Sequence, residues 1–178
     1  MAHIVVLFGS PRRHGNTALL TEAFLSGLAP RHTADVIRAA EVNVHPCTGC
    51  NACFHAEGNA CVQRDDMDGL YARLAAADVL VIATPLYFYG VSAQLKLLTD
   101  RLHNPIRNTF RVRTLILLAA AGNDDPAVFR PLTAQYEAVL RYFHLEDGGV
   151  LTVPGVRRAG EIAGHPALEQ ARALGAAI

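Results

Sequence analysis

His3-Ile4-Val5-Val6-Leu7-Phe8-Gly9-Ser10-Pro11-Arg12-Arg13-His14-Gly15-Asn16-Thr17 decides how the chain is organised. Ile4 to Phe8 are apolar without a break, the mark of a strand buried on both faces, and Gly9-Ser10-Pro11 stops the run. From Asn16 the period becomes helical. Leu20, Phe24 and Leu28 recur at i, i+4 and i+8, and Asn16 or Thr17 stands where a first turn is capped.

The same alternation continues along the chain. Thr33 to Arg38 reads as a short second strand of mixed polarity. From Glu41 to about Asp66 there is no period of either kind, and a connection of that length is usually functional or disordered. Asp65 to Ala77 reads as a helix, Val79 to Ala83 as a buried strand ending at Thr84-Pro85, and Val91 to His103 as a helix with Val91, Leu95, Leu98 and Leu102 on one face. Thr114 to Ala121 is a further strand. A turn at Gly122 to Pro126 leads to an amphipathic helix through Phe143, then a strand from Gly149 to Val153 and a helix from Pro166 to Ile178. Strands alternating with helices imply an α/β fold, with right-handed crossovers and a parallel sheet covered on both faces. A chain of 178 residues is the size of one domain, so a single core over residues 1–178 is expected.

Ligands of open parallel sheets bind beyond the carboxyl ends of the strands, which singles out Gly9 to Thr17, Pro85 to Gly90 and Gly122 to Asp125. The first of these joins a strand to a helix N-terminus, where backbone N–H groups and the helix dipole favour an anion. Ser10, Asn16 and Thr17 add uncharged donors and Arg12 a charge-assisted fork, a set suited to a terminal phosphate. Gly15 is not followed by Lys-Ser/Thr, no G-x-G-x-x-G opens the helix, and the loop holds no cysteine nucleophile. The competing reading is an ordinary solvated turn. In the second loop, Tyr87, Phe88 and Tyr89 follow Pro85-Leu86 and precede Gly90. On an extended segment some of these rings are exposed, where a planar heterocycle can stack, although a hydrophobic subunit contact explains them as well.

Taken together, Gly-Ser-Pro-Arg-x-x-Gly-Asn-Thr from Gly9, Asp65-Asp66-Met67, and Pro-Leu-Tyr-Phe-Tyr-Gly-Val-Ser-Ala-Gln-Leu-Lys from Pro85 resemble the NADPH-dependent FMN reductase family, and within it the iron-sulfur flavoproteins. The resemblance implies a flavodoxin-like three-layer sandwich whose five-stranded parallel sheet has the order 2-1-3-4-5. It implies FMN with its phosphate on Ser10, Arg12, Asn16 and Thr17, its ring against Pro85, Leu86, Tyr87, Phe88 and Gly90, and Gly122 and Asn123 closing the ring's other edge. NAD(P)H is then the electron donor, and a quinone, a flavin or another small molecule the acceptor. A homodimer or homotetramer is implied too. No side-chain acid, base or nucleophile is called for, because the cofactor carries the reaction.

All four cysteines lie between Cys47 and Cys61, which is not how a disulfide framework spreads over a domain. Cys47, Cys50, Cys53 and Cys61 form a C-x2-C-x2-C-x7-C run whose spacing lets three thiolates converge on a [4Fe-4S] cluster, the fourth returning from a longer excursion. A structural zinc more often uses two separated pairs. Free thiols or a redox pair stay open as alternatives. With a cluster the protein becomes an electron carrier served by a ferredoxin-type donor. Asp100-Arg101 is expected to be a solvated helix end, and Asp65, Asp66 and Asp68 to favour a helix dipole.

Lysine and arginine number 16, as do aspartate and glutamate, so no charge imbalance points to nucleic acid or an anionic membrane. No stretch approaches the ~20 apolar residues of a membrane span, and no basic segment followed by an apolar run opens the chain. A cytoplasmic protein with small-molecule partners is expected.

Overall fold

The computed structural model describes residues Met1–Ile178. Its strands β1 (His3–Phe8), β2 (Thr33–Arg38), β3 (Val79–Pro85), β4 (Thr114–Ala120) and β5 (Glu146–Val153) pair in parallel in the order β2-β1-β3-β4-β5. Between and after them run α1 (Asn16–Gly27), α2 (Met67–Ala75), α3 (Ala93–Arg101), α4 (Arg130–Phe143) and α5 (Ala167–Ala176). This is the flavodoxin-like three-layer arrangement.

Side-chain alternation along the central strands divides the core in two. Ile4, Val6 and Phe8 of β1 point into a layer with Leu20 and Phe24 of α1 and Ala167 and Ala171 of α5. Val5 and Leu7 point the other way, onto Met67, Leu70 and Leu74 of α2, Leu95 and Leu98 of α3, and Leu132 and Tyr136 of α4. Both faces of β1, β3 and β4 are therefore apolar, which is why these strands read as unbroken hydrophobic runs. Each fully buried leucine, isoleucine or phenylalanine among them contributes about 1.5–3 kcal/mol.

Two strands are longer than the sequence reading made them, while α2, α3 and α5 are each shorter by a residue or two at both ends. β3 runs on through Thr84 and Pro85, the latter paired with Ala120; a proline without an N–H is tolerated at the last position of a strand. β5 begins at Glu146, because the register shifts against Leu115–Leu117 and Gly148 and Gly149 absorb the irregularity, Gly149 at φ 117°. The long connection after β2 holds two short turns of 3₁₀ helix, Ala52–Phe54 and Glu57–Asn59. No helix is long and apolar enough to cross a membrane.

α1 and α5 pack almost backbone to backbone. A Cβ on Gly27 would lie 2.0 Å from the Arg172 carbonyl oxygen, and one on Gly175 would lie 2.1 Å from that of Phe24. Gly69 in α2 is the contrasting case, with nothing within 4 Å of the added atom. Gly175→Ala is therefore expected to cost about 1–3 kcal/mol through overpacking. Gly69→Ala is expected to be neutral or to stabilise by up to about 1 kcal/mol. Urea denaturation midpoints of the two variants check the contrast.

Candidate functional site

The loops after β1, β3, β4 and β5 meet at one rim of the sheet, and hydrogen bonds hold them to one another. Gly9 N–H donates to the Ala83 carbonyl at 2.8 Å, Leu86 N–H to Ala120 at 2.8 Å, and Ala121 N–H to Val153 at 2.9 Å. Ser92, wholly buried, donates through Oγ to the Gly9 carbonyl at 2.6 Å and caps α3 by accepting from Leu95 N–H at 3.3 Å. Only glycine fits at position 9: a Cβ there would meet Ser92 Oγ at 2.8 Å and Leu95 Cβ at 2.9 Å.

At the amino end of α1 the N-cap is Gly15; no side chain caps the helix and its first turn carries no acidic residue. The backbone N–H groups of Asn16 and Thr17 have no acceptor within the chain. Ser10 and Thr17 are buried beside them, Ser10 Oγ accepting from Arg12 N–H at 3.1 Å, and the exposed Arg12 side chain reaches the Arg157 carbonyl at 3.4 Å. An anion is the natural complement of free amides, a helix dipole and a guanidinium.

Asn16 has a different part from the one its residue type suggested. Its Nδ2 donates to the carbonyls of Val156 and Arg158, at 3.0 and 2.9 Å, and its Oδ1 accepts from Ile162 N–H at 3.2 Å. The side chain thus staples the segment after β5 to the start of α1, and what Asn16 has free for a ligand is its backbone amide. That segment was not read as part of the rim from sequence. Arg157 Nε donates to the Gly122 carbonyl at 2.6 Å, and Glu161 accepts from Arg157 and Arg158 N–H at 2.5 and 2.8 Å. Those two backbone bonds, Arg158's first, hold the Glu161 carboxyl below its usual range. Gly122 approaches Arg157 too closely for a side chain, a Cβ meeting Arg157 Cγ at 2.6 Å, and Asn123 Oδ1 accepts from Asp125 N–H at 2.9 Å. No periodic signal in Pro154 to Glu161 marks these contacts.

The aromatic loop is a tight turn rather than an extended segment. Tyr87 and Gly90 exchange backbone hydrogen bonds at 3.0 Å in both directions, and Phe88 and Tyr89 between them have φ of 48° and 64°. Left-handed backbone is uncommon for bulky residues and is held here against its steric cost. The turn leaves Pro85 and Leu86 half-buried, exposes Tyr87, and projects Phe88 99% into solvent.

A second constellation is formed by the cysteines. Cys47, Cys50, Cys53 and Cys61 all line one cavity of about 30 Å³, together with Tyr71 and Arg101. All four are free thiols. Burial raises the Cys53 thiol, and the neighbouring charge of Cys61, Cys47 and Cys50 adds to it, whereas the Ala52 backbone and the Thr48 hydroxyl lower Cys50. No three His, Cys, Asp or Glu side chains are spaced to share a single metal ion. A cubane asks for a different spacing, because its four thiolates bind four different irons. Four thiols lining one cavity are the donor type that such a group takes.

Arg101 corrects the sequence reading. Far from being a solvated helix end, its side chain is 1% exposed and meets the wholly buried carboxylate of Asp65 at 2.6 Å. Asp65 also accepts from the N–H groups of His45 and Met67 at 2.9 and 3.1 Å, so it ties the start of α2 and the end of α3 to the residues just before the cysteines. Burial pushes its carboxyl up, but the Arg101 bond and the two backbone donors outweigh this and leave it below the usual value. A cavity of about 970 Å³ lies elsewhere, an apolar cleft between α3 and α4 lined by Leu80, Leu117, Val139, Tyr142 and Phe143.

Residues 2–144 match the model of the NADPH-dependent FMN reductase family. The chain belongs to that family. It is 38% identical over 114 residues to an iron-sulfur flavoprotein of Methanocaldococcus jannaschii, a stretch that covers 64% of this chain and 58% of the relative. The chain thus spans little more than half the length of that relative. A putative NAD(P)H-dependent FMN-containing oxidoreductase of Bacillus subtilis is 26% identical over 96% of this chain and 95% of its own. Among solved structures, the NAD(P)H:quinone oxidoreductase of Methanothermobacter marburgensis superposes with a TM-score of 0.73 at 19% identity, covering 98% of this chain and 96% of that one. That last likeness is one of fold.

Removing one partner of a buried ion pair leaves the other charge uncompensated, so Asp65→Ala is expected to cost about 3–5 kcal/mol at neutral pH. Because the folded-state carboxyl is depressed, its stabilisation is complete above its unfolded value and fades as pH falls through the folded one. Denaturation midpoints of wild type and Asp65→Ala should therefore differ most at neutral pH and converge below about pH 4.

Proposed function

We propose that this protein is an FMN-dependent NAD(P)H oxidoreductase that passes electrons to a quinone, a free flavin or another small acceptor. The carrying observation is the uncapped amino end of α1, with two free backbone amides, buried Ser10 and Thr17 and the Arg12 guanidinium around it, at the rim where Pro85 to Gly90 also emerges. When bound there, FMN supplies the hydride and electron chemistry. The amides of Asn16 and Thr17, with Ser10, Arg12 and Thr17, hold the phosphate. Pro85, Leu86, Tyr87 and Gly90 give the ring a half-buried shelf, and Gly122 and Asn123 face it from the next loop. The Asn16 side chain and Arg157 hold these loops at fixed separations, so little reorganisation is needed on binding. Membership of the FMN reductase family and the name of the Bacillus subtilis relative support the assignment. We take the assembly to be a homodimer or homotetramer, in which the projecting Phe88 rests on a neighbouring subunit. A cytoplasmic setting suits four free thiols.

A second reading has its own observation, the four cysteines around one cavity. In it the protein is an iron-sulfur flavoprotein in which Cys47, Cys50, Cys53 and Cys61 hold a [4Fe-4S] cluster that stores single electrons, fed by a ferredoxin-type donor. The name of the archaeal relative agrees.

Purified apoprotein titrated with FMN should quench flavin fluorescence saturably; no saturation at high concentration removes the first reading. Arg12→Ala should weaken FMN binding roughly tenfold or more, the worth of a charge-assisted hydrogen bond, and leave riboflavin, which lacks the phosphate, nearly unaffected. Steady oxidation of NADPH or NADH with a quinone present supports the oxidoreductase. Inertness to both nucleotides, with rapid reduction by ferredoxin, favours the carrier.

A further inference from the structure

The flavin rim uses neither the cysteines nor the buried guanidinium beside them, and that guanidinium is only half accounted for. Arg101 Nη1 donates to Asp65 Oδ2 at 2.6 Å and to the His45 carbonyl at 3.1 Å. Nη2 is buried too and has no acceptor in the chain. A charged N–H shut away from water without a partner is costly, and holding Asp65 alone does not require a second arm. Arg101 lines the same cavity as all four cysteines.

The other polar groups on that side of the cavity are occupied. Tyr71 O–H donates to the Arg101 carbonyl at 2.9 Å, and Asn104 Oδ1 accepts from Ile106 N–H at 3.0 Å, its Nδ2 lying 3.4 Å from the Tyr71 hydroxyl. A guanidinium keeps its charge whether buried or not. A fixed cation with one idle arm, bordering four thiols, is arranged for an anion made of sulfur.

We propose that Arg101 is a positioning residue for a cysteine-bound cluster: its free Nη2 donates to a thiolate or sulfide sulfur, while Asp65 fixes the guanidinium through Nη1. This rests on the reading that Cys47, Cys50, Cys53 and Cys61 hold a [4Fe-4S] group. Four thiolates bring more negative charge than the iron core offsets, and reduction adds one further electron. A buried N–H donor and positive charge stabilise the reduced form more than the oxidised one, so Arg101 raises the midpoint potential. Hydrogen bonds to sulfur and net charge are established determinants of that potential.

The test uses full-length protein purified without oxygen. Iron and acid-labile sulfide are assayed first, and their absence, also after reconstitution with iron and sulfide, overturns the cluster reading and this proposal with it. Where the cluster is present, Arg101→Lys keeps a cation able to reach Asp65 but removes the second arm. The variant should need a potential about 59 mV more negative for the same reduced fraction, a tenfold change in the ratio for one electron. Arg73→Lys is the control. Arg73 makes a two-armed contact with Asp35, at 2.6 and 2.7 Å, away from the cysteines, and its replacement should leave the potential where it was. A measurement on wild type covers the case in which Arg101→Lys does not fold. Protein grown with ¹⁵N-guanidino arginine and reduced with dithionite should show ¹⁵N hyperfine coupling to the cluster spin by pulsed electron paramagnetic resonance. A bound cluster without that coupling, or with a potential unmoved by Arg101→Lys, overturns the role of Arg101 and leaves the cluster reading standing.

Discussion

Burial of β1, β3 and β4 on both faces is the constraint from which the rest follows. Ile4 to Leu7 and Leu115 to Ala119 are all nearly inaccessible, so within those runs there is no exposed position at which a polar group can serve a ligand. Chemistry is displaced to where the strands end. The parallel direction then gathers four loops onto one rim, and the strand order sets β1 next to β3, bringing Gly9 against the start of α3 through Ser92. A polar site at the rim is thus a consequence of an apolar sheet.

What makes the rim a site is the way its loops are fastened. Buried Ser92 and Asn16 commit their hydrogen bonds to neighbouring backbone, Ser92 to Gly9 and Asn16 to Val156 and Arg158, and the exposed Arg157 does the same to Gly122. The groups left over are the unpartnered α1 amides, the exposed Arg12 guanidinium and the exposed aromatic turn. Division of labour of this kind lowers the ordering cost of binding, since the fold has already fixed the groups a ligand meets. The aromatic turn adds strain to the arrangement. Two left-handed aromatic residues cost on the order of 1–3 kcal/mol each, and exchanged bonds between Tyr87 and Gly90 hold them in place.

The sheet was legible because its signal is local. Runs such as Ile4 to Phe8 and Val79 to Ala83 have one physical explanation, and β2 lies at Thr33–Arg38, the short stretch of mixed polarity expected there from the alternation of its neighbours. The loops after β1 and β3 were legible from position, lying where a strand meets a helix. Residues whose roles depend on distant partners were not. Asp65 and Arg101 look like ordinary helix-terminal charges in sequence, and only the packing of α2 against the end of α3 removes both from water. Asn16 looks like a ligand donor until the segment after β5, some 140 residues later, is seen to take its amide. The turn at Phe88 and Tyr89 has no signal in sequence, because glycine, the usual occupant of left-handed turn positions, is absent from them.

The two candidate sites differ in how they meet a ligand. Rim loops are sewn together along their length, whereas the cysteine segment is anchored mainly at its ends, by Asp66 accepting from Asn43 N–H and by Asp65 with Arg101 and His45. Its middle has few ties: Asn59 to the Cys53 carbonyl, Gln63 to the Pro46 carbonyl, and two 3₁₀ turns without a buried residue. Left-handed backbone at Gly49, Asn51, Gly58 and Asn59 folds this stretch back on itself with little help from a hydrophobic core. A segment tied this way is fixed at its ends and lightly held between them, which is where the four thiols lie. The buried ion pair is one of those ties. By holding the ends of the segment it sets the buried Arg101 side chain against the cavity that the four thiols line.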